Sequence, residues 1–247
     1  TDIHCPMYID YEESEKYCKS DGVKPYIQCE YAHAMGNSEG GFKEYWDLIR
    51  KYPKYQGGYI WDFVDQGLRD KSPITGKEIF TYGGDYGRYP ASDYNFNCNG
   101  IIAPDHRLNP HAYEIQYWHQ NVWIKDLDAV NGAFNIYNEN FFKNIDDLHL
   151  TATIYANGVK LSTVEIPETK GIAPQTTKMV KSDALKYAIA EAESEHGKEE
   201  ITVNFAFASD GTEPLVEKGQ VMARQQFVIN EYQFDKVDTP IAATSTK

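Results

Sequence analysis

Three short apolar runs of the sequence carry side chains that could bind or react with a substrate. Tyr8 lies near the end of the first run, Glu30 near the end of the second with His33 close behind, and Trp61 in the third. An indole or phenol ring can stack on the C–H face of a sugar, while polar groups bind its hydroxyls. A carboxylate at such a position can be a nucleophile or an acid–base group in glycoside hydrolysis. These residue types therefore suggest a carbohydrate-processing site.

Residue type alone leaves a structural role open for each candidate. A glutamate near a strand end is equally consistent with a buried carboxylate that hydrogen bonds satisfy. Tyr8 and Trp61 are consistent with aromatic packing in a core, and His33 with a structural histidine. The choice depends on whether the fold brings these side chains together.

The elements that would position the candidates can be read from the first part of the chain. Short β-rich runs alternate there with helix-like segments, which predicts parallel strands joined by crossover helices. The predicted strands are Ile3–Ile9, Tyr26–Tyr31 and Gly58–Asp65. The C-terminal ends of parallel strands face the active site in α/β folds, so we expect the candidates at one edge of the sheet.

Three helices are predicted around these strands. The first covers Tyr11–Lys19, where polar residues can cap the start. The second follows a cap at Asn37 or Ser38 and stops at Pro53, as the spacing of its apolar residues indicates. The third occupies about residues 109–119 and begins with an Asn-Pro pair, which is typical of a helix start.

A change of composition near Asn121 predicts a domain boundary. Before it, Gln66–Asn109 is rich in Gly, Tyr, Asn and Asp without periodicity, which predicts long ordered loops. After it, apolar and polar residues alternate, which is typical of antiparallel strands. We therefore predict an α/β domain over residues 1–121 and an all-β domain over residues 122–247.

The second domain is predicted to be an antiparallel β-sandwich. Asn157-Gly158 is the strongest hairpin signal, because both residues tolerate the positive φ of a tight turn. The acidic stretch Glu191–Glu200 is interpreted as a solvated connection or turn. The predicted strands are Val122–Leu127, Ala133–Asn138, Leu148–Tyr155, Lys160–Ile166, Ile201–Ala206 and Met222–Ile229.

Charge and composition exclude several classes of function. The 37 acidic and 24 basic residues give a formal charge of −13, which repels phosphate backbones and anionic lipid heads. No run approaches the roughly 20 apolar residues of a membrane span. We therefore expect a soluble protein with no nucleic acid and no membrane as partner, whether cytoplasmic or periplasmic. The four cysteines lack CxxC spacing and are expected to be reduced, and the absence of an HExxH motif argues against a zinc hydrolase.

A longer pattern surrounds Glu30. The run CEYAHAMGNS at positions 29–38 closely resembles the nucleophile segment of the large β-galactosidases of glycoside hydrolase family 2. The resemblance is strong over about Thr1–Gln120 and looser beyond. Further stretches agree in order, namely CPMY at 5–8, GGF at 40–42, YW at 45–46, QGG at 56–58, WD at 61–62, VDQ at 64–66, YGGD at 82–85 and NG at 99–100.

This resemblance implies a role for each candidate. Glu30 matches the covalent nucleophile of the family, and Tyr8 matches a tyrosine that assists as the glycosyl-enzyme forms and breaks. His33 matches a histidine that hydrogen-bonds sugar hydroxyls, and Trp61 matches a tryptophan that shapes the galactose pocket. The implied substrate is a β-galactoside with a terminal galactose.

The resemblance also implies a cation site. Phe96, through its carbonyl, and Asn99, through its amide oxygen, match residues around a bound sodium ion, and Asn99 also belongs to the expected substrate site. The full-length family is expected to use both Mg and Na. The magnesium site is expected outside this chain. Only part of the sodium site is expected within it.

The implied fold is the last strands of a (β/α)8 TIM barrel followed by an immunoglobulin-like β-sandwich. Three strands cannot close such a barrel, so we expect a fragment whose acid/base carboxyl lies upstream and which is inactive alone. Its open sheet edges predict pairing with another copy, as a homo-oligomer or through edge strands. The alternative is a catalytically silent carbohydrate-binding or assembly module.

Overall fold

A computed structural model describes residues 1–87 and 91–234 of the chain. The chain divides into two compact units, Thr1–His119 and Gln120–Lys247, each with its own core. Residues 88–90 of the predicted loop stretch and residues 235–247 of the predicted second domain lie outside the described residues.

The first unit contains a parallel pair of strands with a crossover helix. The pair runs from Tyr26 opposite Tyr55 to Tyr31 opposite Ile60, and the crossover agrees with the predicted alternation. Its described elements are α1 (Tyr11–Lys19), β1 (Tyr26–Tyr31), α2 (Phe42–Lys51), β2 (Tyr55–Ile60), β3 (Leu68–Lys71), β4 (Glu78–Thr81) and α3 (Pro110–Trp118), with a 3₁₀ turn over Gly83–Asp85.

The predicted first strand lies beside β1 without being a continuous strand. Isolated parallel bridges at His4 and Met7 join this segment to β1. Pro6 has no N–H to extend the ladder, and Tyr8 has a φ of 52°, which extended strands do not adopt. The prediction of an unbroken strand over Ile3–Ile9 was therefore wrong, although the segment keeps its parallel neighbour.

Helices α1 and α3 lie where the sequence predicts them. In α1 the Asp10 carboxylate accepts a hydrogen bond from the amide of Glu13 at 2.8 Å, which satisfies one of the free amides of the first turn. Asn109 precedes α3 but makes no capping hydrogen bond. Its side chain instead donates to the carbonyl of Gly100 at 3.0 Å, and so joins the start of α3 to a loop.

Helix α2 begins later than predicted. Its N-cap is Gly41, whose φ of 79° lies in the left-handed region, and the predicted caps Asn37 and Ser38 lie in the loop before it. Gly36 and Glu39 also have positive φ values, so the chain keeps turning until Phe42. A run of positive φ values prevents a helix from starting earlier.

The third predicted strand was placed too late in the sequence. β2 ends at Ile60, and the next peptide bond, between Trp61 and Asp62, is cis. The prediction of Gly58–Asp65 was therefore wrong at both ends. The stretch Gln66–Asn109 is also more ordered than a set of loops, because β3 and β4 form an antiparallel hairpin within it.

Aromatic side chains fill the core of the first unit. Tyr26 and Tyr55 are buried beside α1 and α2, and their rings meet edge to face at 4.6 Å. Gln28, which points into this core, accepts from the amide of Ile9 at 2.9 Å and donates to the Tyr55 hydroxyl at 2.8 Å. These hydrogen bonds satisfy the buried amide and fix β1 against the segment that carries Tyr8.

The second unit is built from two antiparallel sheets around one core. The strand orders are β5-β6-β9 and β11-β10-β7-β8. All six predicted strands are present, and the sequence analysis missed β9. The described elements are β5 (Val122–Asp128), β6 (Ala133–Asn138), β7 (Leu148–Ala156), β8 (Val159–Ile166), β9 (Thr176–Lys181), α4 (Asp183–His196), β10 (Ile201–Ser209) and β11 (Val221–Asn230).

The core of the second unit draws on both sheets. Ile136 of one sheet and Ile154 of the other have no exposed surface, and the rings of Phe134 and Phe205 lie 5.0 Å apart. Alternate residues of β7 and β10 are buried, as the period of a strand requires. The predicted tight turn joins β7 to β8 at Asn157–Gly158, where both φ values are positive.

Helix α4 corrects the interpretation of Glu191–Glu200 as a solvated connection. The helix continues to His196 and begins with Ser182, whose hydroxyl accepts from the amide of Leu185 at 3.2 Å. Leu185 and Ile189 are buried in the core of the second unit. The glutamates lie on the rest of the helix, and their number concealed its narrow apolar stripe.

Two further findings concern the chain as far as it is described. None of the helices in residues 1–87 and 91–234 is both long and apolar enough to cross a membrane. The four cysteines, all of which are described, are free thiols.

Candidate active site

The Tyr8 phenol and the Glu30 carboxylate form the centre of the candidate site. The Tyr8 hydroxyl donates to Oε2 of Glu30 at 2.7 Å, and the Tyr8 amide donates to the Glu30 carbonyl at 2.8 Å. Both residues stand where their parallel segments end, so the backbone pairing sets the side-chain contact. The hydrogen bond orients the half-buried Glu30 carboxylate near the C-terminal end of β1.

The electrostatics of this pair keep the phenol protonated. Burial, the hydrogen bond to Glu30 and the negative charge of its carboxylate raise the pKa of the Tyr8 phenol well above its usual range. A neutral phenol can go on donating to the carboxylate, and a hydrogen bond to a charged acceptor is stronger than one between neutral groups. Tyr8 can therefore hold one carboxylate oxygen in place.

His33 and Phe96 form an aromatic wall next to the pair. Their rings stack with centroids 5.0 Å apart and an interplanar angle of 26°, while the Tyr8 ring meets His33 edge-on at 5.9 Å. Nε2 of His33 is buried and has no hydrogen-bond partner. This nitrogen is available to a hydroxyl of a bound ligand, since buried polar atoms normally have partners.

Trp61 is fixed to the end of β1 by its backbone. Its amide donates to the Tyr31 carbonyl at 3.3 Å, and its carbonyl accepts from the amide of Ala34 at 2.8 Å. Indole Nε1 is buried without a partner. The ring therefore brings both an apolar face and an unused donor to the loop that follows Glu30.

Asn99 enters the site on a segment that packs tightly against the end of β2. The amide of Asp62 donates to the Asn99 carbonyl at 2.7 Å, and the amide of Gly100 donates to Oδ1 of Asp65 at 2.8 Å. A Cβ at position 100 would lie 2.0 Å from the Asp65 nitrogen. Only glycine fits here, so the close contact of the two backbones fixes the position of Asn99.

The side chain of Asn99 offers an unpartnered oxygen to a cation. Asn99 has no exposed surface, and neither its Oδ1 nor its Nδ2 has a hydrogen-bond partner. An orphaned amide oxygen is the type of hard donor that alkali and alkaline-earth cations bind. Within the described residues no three His, Cys, Asp or Glu side chains are grouped as metal ligands, so a cation here would depend on amide and carbonyl oxygens such as those of Asn99 and Phe96.

Comparison with known proteins identifies the family. The family described as "Glycosyl hydrolases family 2, TIM barrel domain" matches residues 1–124, which include every candidate site residue. The chain belongs to glycosyl hydrolase family 2. A second family, described as "Beta-galactosidase, domain 4", matches residues 134–238.

Several family 2 relatives are bacterial proteins named beta-galactosidase. One from Leuconostoc mesenteroides is 34% identical over 244 residues, which cover 93% of this chain and 22% of the relative. One from Halalkalibacterium halodurans is 42% identical over 65% of this chain and 15% of its own length, and one from Clostridium acetobutylicum is 44% identical over 62% and 16%. The chain thus spans about a fifth of the length of these relatives.

The structure brings all six predicted site residues of this family 2 chain into one unit. Tyr8, Glu30, His33 and Phe96 are linked by direct contacts, whereas Trp61 and Asn99 join through the backbone of neighbouring segments.

Residues without a predicted role also shape this site. Asp62 has a buried Oδ1 without a partner, accepts from the Gln66 amide through Oδ2, and has a pKa raised by burial. The Glu39 carboxyl, whose side chain has no exposed surface, contacts the half-buried ring of His111. Asp62 stands beside Trp61 at a strand end, which is a usable signal, but no local pattern connects Glu39 with His111.

Proposed function

We propose that this chain supplies the nucleophile side of the active site of a retaining β-galactosidase. The observation that carries the proposal is the 2.7 Å hydrogen bond from the Tyr8 phenol to Glu30 at the ends of two parallel segments. The sequence of the nucleophile segment and the names of the family 2 relatives support galactosides as the substrate class.

In the proposed reaction Glu30 attacks the anomeric carbon of a terminal β-galactose. The carboxylate oxygen forms a bond to C1 as the bond from C1 to the aglycone oxygen breaks, and a second carboxyl group protonates that oxygen. Water then attacks C1 and returns the carboxylate. Retaining enzymes place the two carboxyl groups about 5–5.5 Å apart, and we propose that the second one comes from a part of the parent enzyme outside these 247 residues.

The other site residues are proposed to bind the sugar. Tyr8 orients Glu30 and stabilises the carboxylate when it leaves C1. His33 and Trp61 offer unused buried polar atoms to the sugar hydroxyls, and the indole face packs on the ring. Asn99 and the Phe96 carbonyl would hold a sodium ion, whose charge would favour the binding of a galactose hydroxyl. A magnesium ion would bind elsewhere in the parent enzyme.

The fold of the parent enzyme is part of the proposal. We propose that the Ile3–Ile9 segment, together with β1 and β2, forms three consecutive strands of a (β/α)8 barrel. We also propose that the second unit is an immunoglobulin-like sandwich. In the described residues β2 pairs only with β1, so one edge would pair with a barrel strand or with a second copy of the chain. Sedimentation of the isolated chain tests this: self-association is expected, and a monomer at high concentration would contradict edge pairing.

A mechanism-based label tests the nucleophile in the parent enzyme. The probe is a dinitrophenyl β-galactoside with fluorine in place of the C2 hydroxyl, because fluorine slows hydrolysis of the glycosyl-enzyme and dinitrophenolate leaves without protonation. Peptide mass spectrometry is expected to find the fluorogalactosyl group on Glu30. Labelling at another carboxylate would refute the assignment, and sugar binding without labelling would support the silent binding module.

The Glu30→Gln variant provides the matched control for the label. It is expected to stay unlabelled, while Glu44→Gln, an exposed change on α2, is expected to label like the unaltered enzyme. The chain alone is expected to hydrolyse a nitrophenyl galactoside negligibly, since it lacks the acid partner, and turnover near that of the parent enzyme would contradict this part of the proposal.

A further inference from the structure

Glu39, in the loop that follows β1, is unusual both in its burial and in its backbone conformation. Its side chain has no exposed surface, and its φ of 64° lies in the left-handed region. Neither carboxyl oxygen has a hydrogen bond that meets normal geometry. A non-glycine residue in this region and a buried carboxyl each destabilise the fold. Such positions indicate a role other than stability.

One basic side chain lies within reach of this carboxyl group. His111, at the start of α3, places Nε2 3.2 Å from Oε2 of Glu39 and 3.1 Å from the carbonyl of Gly100. The same carbonyl accepts from the amide of Asn109 at 3.0 Å. His111 therefore connects Glu39 with the segment that holds Asn99.

These groups line a cavity of about 490 Å³ in the first unit. Its walls include the loop after Glu30, the Asn99–Gly100 segment and the start of α3. The titratable groups that line it are Glu39, Asp65, Cys98, His111 and Glu114. Burial and, to a smaller extent, the charge of Glu39 raise the pKa of the nearby Tyr31 phenol.

His111 is the only side chain among those lining groups that can carry a positive charge. Asp65 already accepts from Gly100, and Glu114 is exposed. Burial raises the pKa of the Glu39 carboxyl to about 8, so that this group carries a proton at neutral pH. A neutral carboxyl can donate to a ring nitrogen, and a carboxylate can accept from a ring N–H.

We propose that Glu39 and His111 act as a positioning pair that fixes the Asn99–Gly100 segment against the loop after the nucleophile. With its proton on Nε2, the His111 ring presents one N–H group to both the Gly100 carbonyl and Oε2 of Glu39, and so joins the two segments. When Glu39 loses its proton, the carboxylate competes with the Gly100 carbonyl for this N–H group, which weakens the connection to Gly100. The significance for catalysis rests on the proposed function, through Asn99.

The proposal is tested on the full 247-residue chain without any sugar. The carboxyl carbon of Glu39 and the amide of Gly100 are followed by NMR between pH 4 and pH 10. We expect both signals to titrate together near pH 8, and the amide response to vanish in Glu39→Gln. In His111→Gln the midpoint for Glu39 is expected to move up by about one pH unit, because the ring N–H group no longer stabilises the carboxylate.

Thermal unfolding gives a second, independent measurement. The folded pKa of Glu39 exceeds its value of 4.5 in an unfolded chain, so its contribution to stability is present below about pH 4.5 and is lost as the pH rises through about 8. Between pH 5 and pH 9 the Tm of the unaltered chain is therefore expected to fall by at least about 4 °C more than the Tm of Glu39→Gln. Glu114→Gln, which changes an exposed carboxyl of the same cavity, is expected to follow the unaltered chain.

Three results would overturn the proposal. The first is a titration of Glu39 near pH 4.5. The second is a Gly100 amide signal that does not change as Glu39 titrates. The third is an equal pH dependence of Tm in the unaltered chain and in Glu39→Gln. None of these measurements involves Glu30 or turnover, so their failure would leave the nucleophile assignment intact. Conversely, labelling of a carboxylate other than Glu30 would not affect them.

Discussion

Buried polar side-chain atoms without a partner are far more frequent in the first unit than in the second, where Oε2 of Glu168 is the one such atom among the described residues. In the second unit the buried amide of Asn138 donates to two backbone carbonyls and accepts from Asn140. In the first unit buried polar atoms of His33, Trp61 and Asn99 have no partner. Each unpaired atom of this kind costs roughly 1–3 kcal/mol of stability.

This difference separates stability from chemistry within one chain. The second unit gains its stability from a large aliphatic and aromatic core shared by two sheets. The first unit keeps unused donors and acceptors at its strand ends, where a ligand would satisfy them. The comparison predicts that substitutions in the first unit mainly affect reaction and binding, whereas substitutions in the second mainly affect folding.

The largest effect is expected at Glu30. In the parent enzyme Glu30→Gln removes the proposed nucleophile, and kcat is expected to fall by about 10³-fold or more, while the apparent affinity for a galactoside is kept. Steady-state kinetics and equilibrium binding measure the two quantities. A variant that retained more than about a tenth of the kcat would exclude Glu30 as nucleophile.

The corresponding test in the second unit is Phe205→Ala. Phe205 is 1% exposed and packs against Phe134 and Phe227, so its loss leaves a cavity and is expected to reduce the free energy of unfolding by about 3–5 kcal/mol. Chemical denaturation of the isolated chain measures this value. Val159→Ala, an exposed position of the same unit, is the control and is expected to change stability by less than about 0.5 kcal/mol.

A smaller effect on reaction is expected from Tyr8→Phe. The change removes the donor at 2.7 Å from Glu30 and keeps the ring that contacts His33. We expect kcat of the parent enzyme to fall by about 10²-fold. The stability of the chain is expected to change little, since the tyrosine is 44% exposed. A large loss of stability with unchanged kcat would reverse the comparison between the units.

The predictability of the fold also differs between the units. Strict alternation identifies β6 and β7 because half of each strand faces the core. The spacing of Leu185 and Ile189 in α4 was hidden by the glutamates around it. β9 was missed because its two apolar residues, Met179 and Val180, are adjacent and flanked by threonines and lysines, so that no alternation is visible. In the first unit α1 was predicted to the residue, since Asp10 marks its start with a side-chain cap.

The site was predictable only in part. Tyr8, Glu30 and Trp61 were found because they lie in the C-terminal parts of predicted strands, but their proposed roles came from the family resemblance. Glu39 and His111 were missed because they are far apart in sequence, and only the folded chain brings them together. Local patterns record backbone preferences, whereas a buried contact between distant residues depends on the whole unit.

The smallest effect is expected at the start of α4. Ser182→Ala removes the hydroxyl that accepts from the amide of Leu185 at 3.2 Å, which is expected to reduce the free energy of unfolding by about 1 kcal/mol. Ser182→Asp keeps an acceptor at the same place and adds a negative charge at the positive end of the helix dipole, so it is expected to match the unaltered chain. Denaturant titration of both variants measures the difference. If the two variants lost equal stability, the cap would contribute nothing, and the fold of the second unit would depend on its hydrophobic core alone.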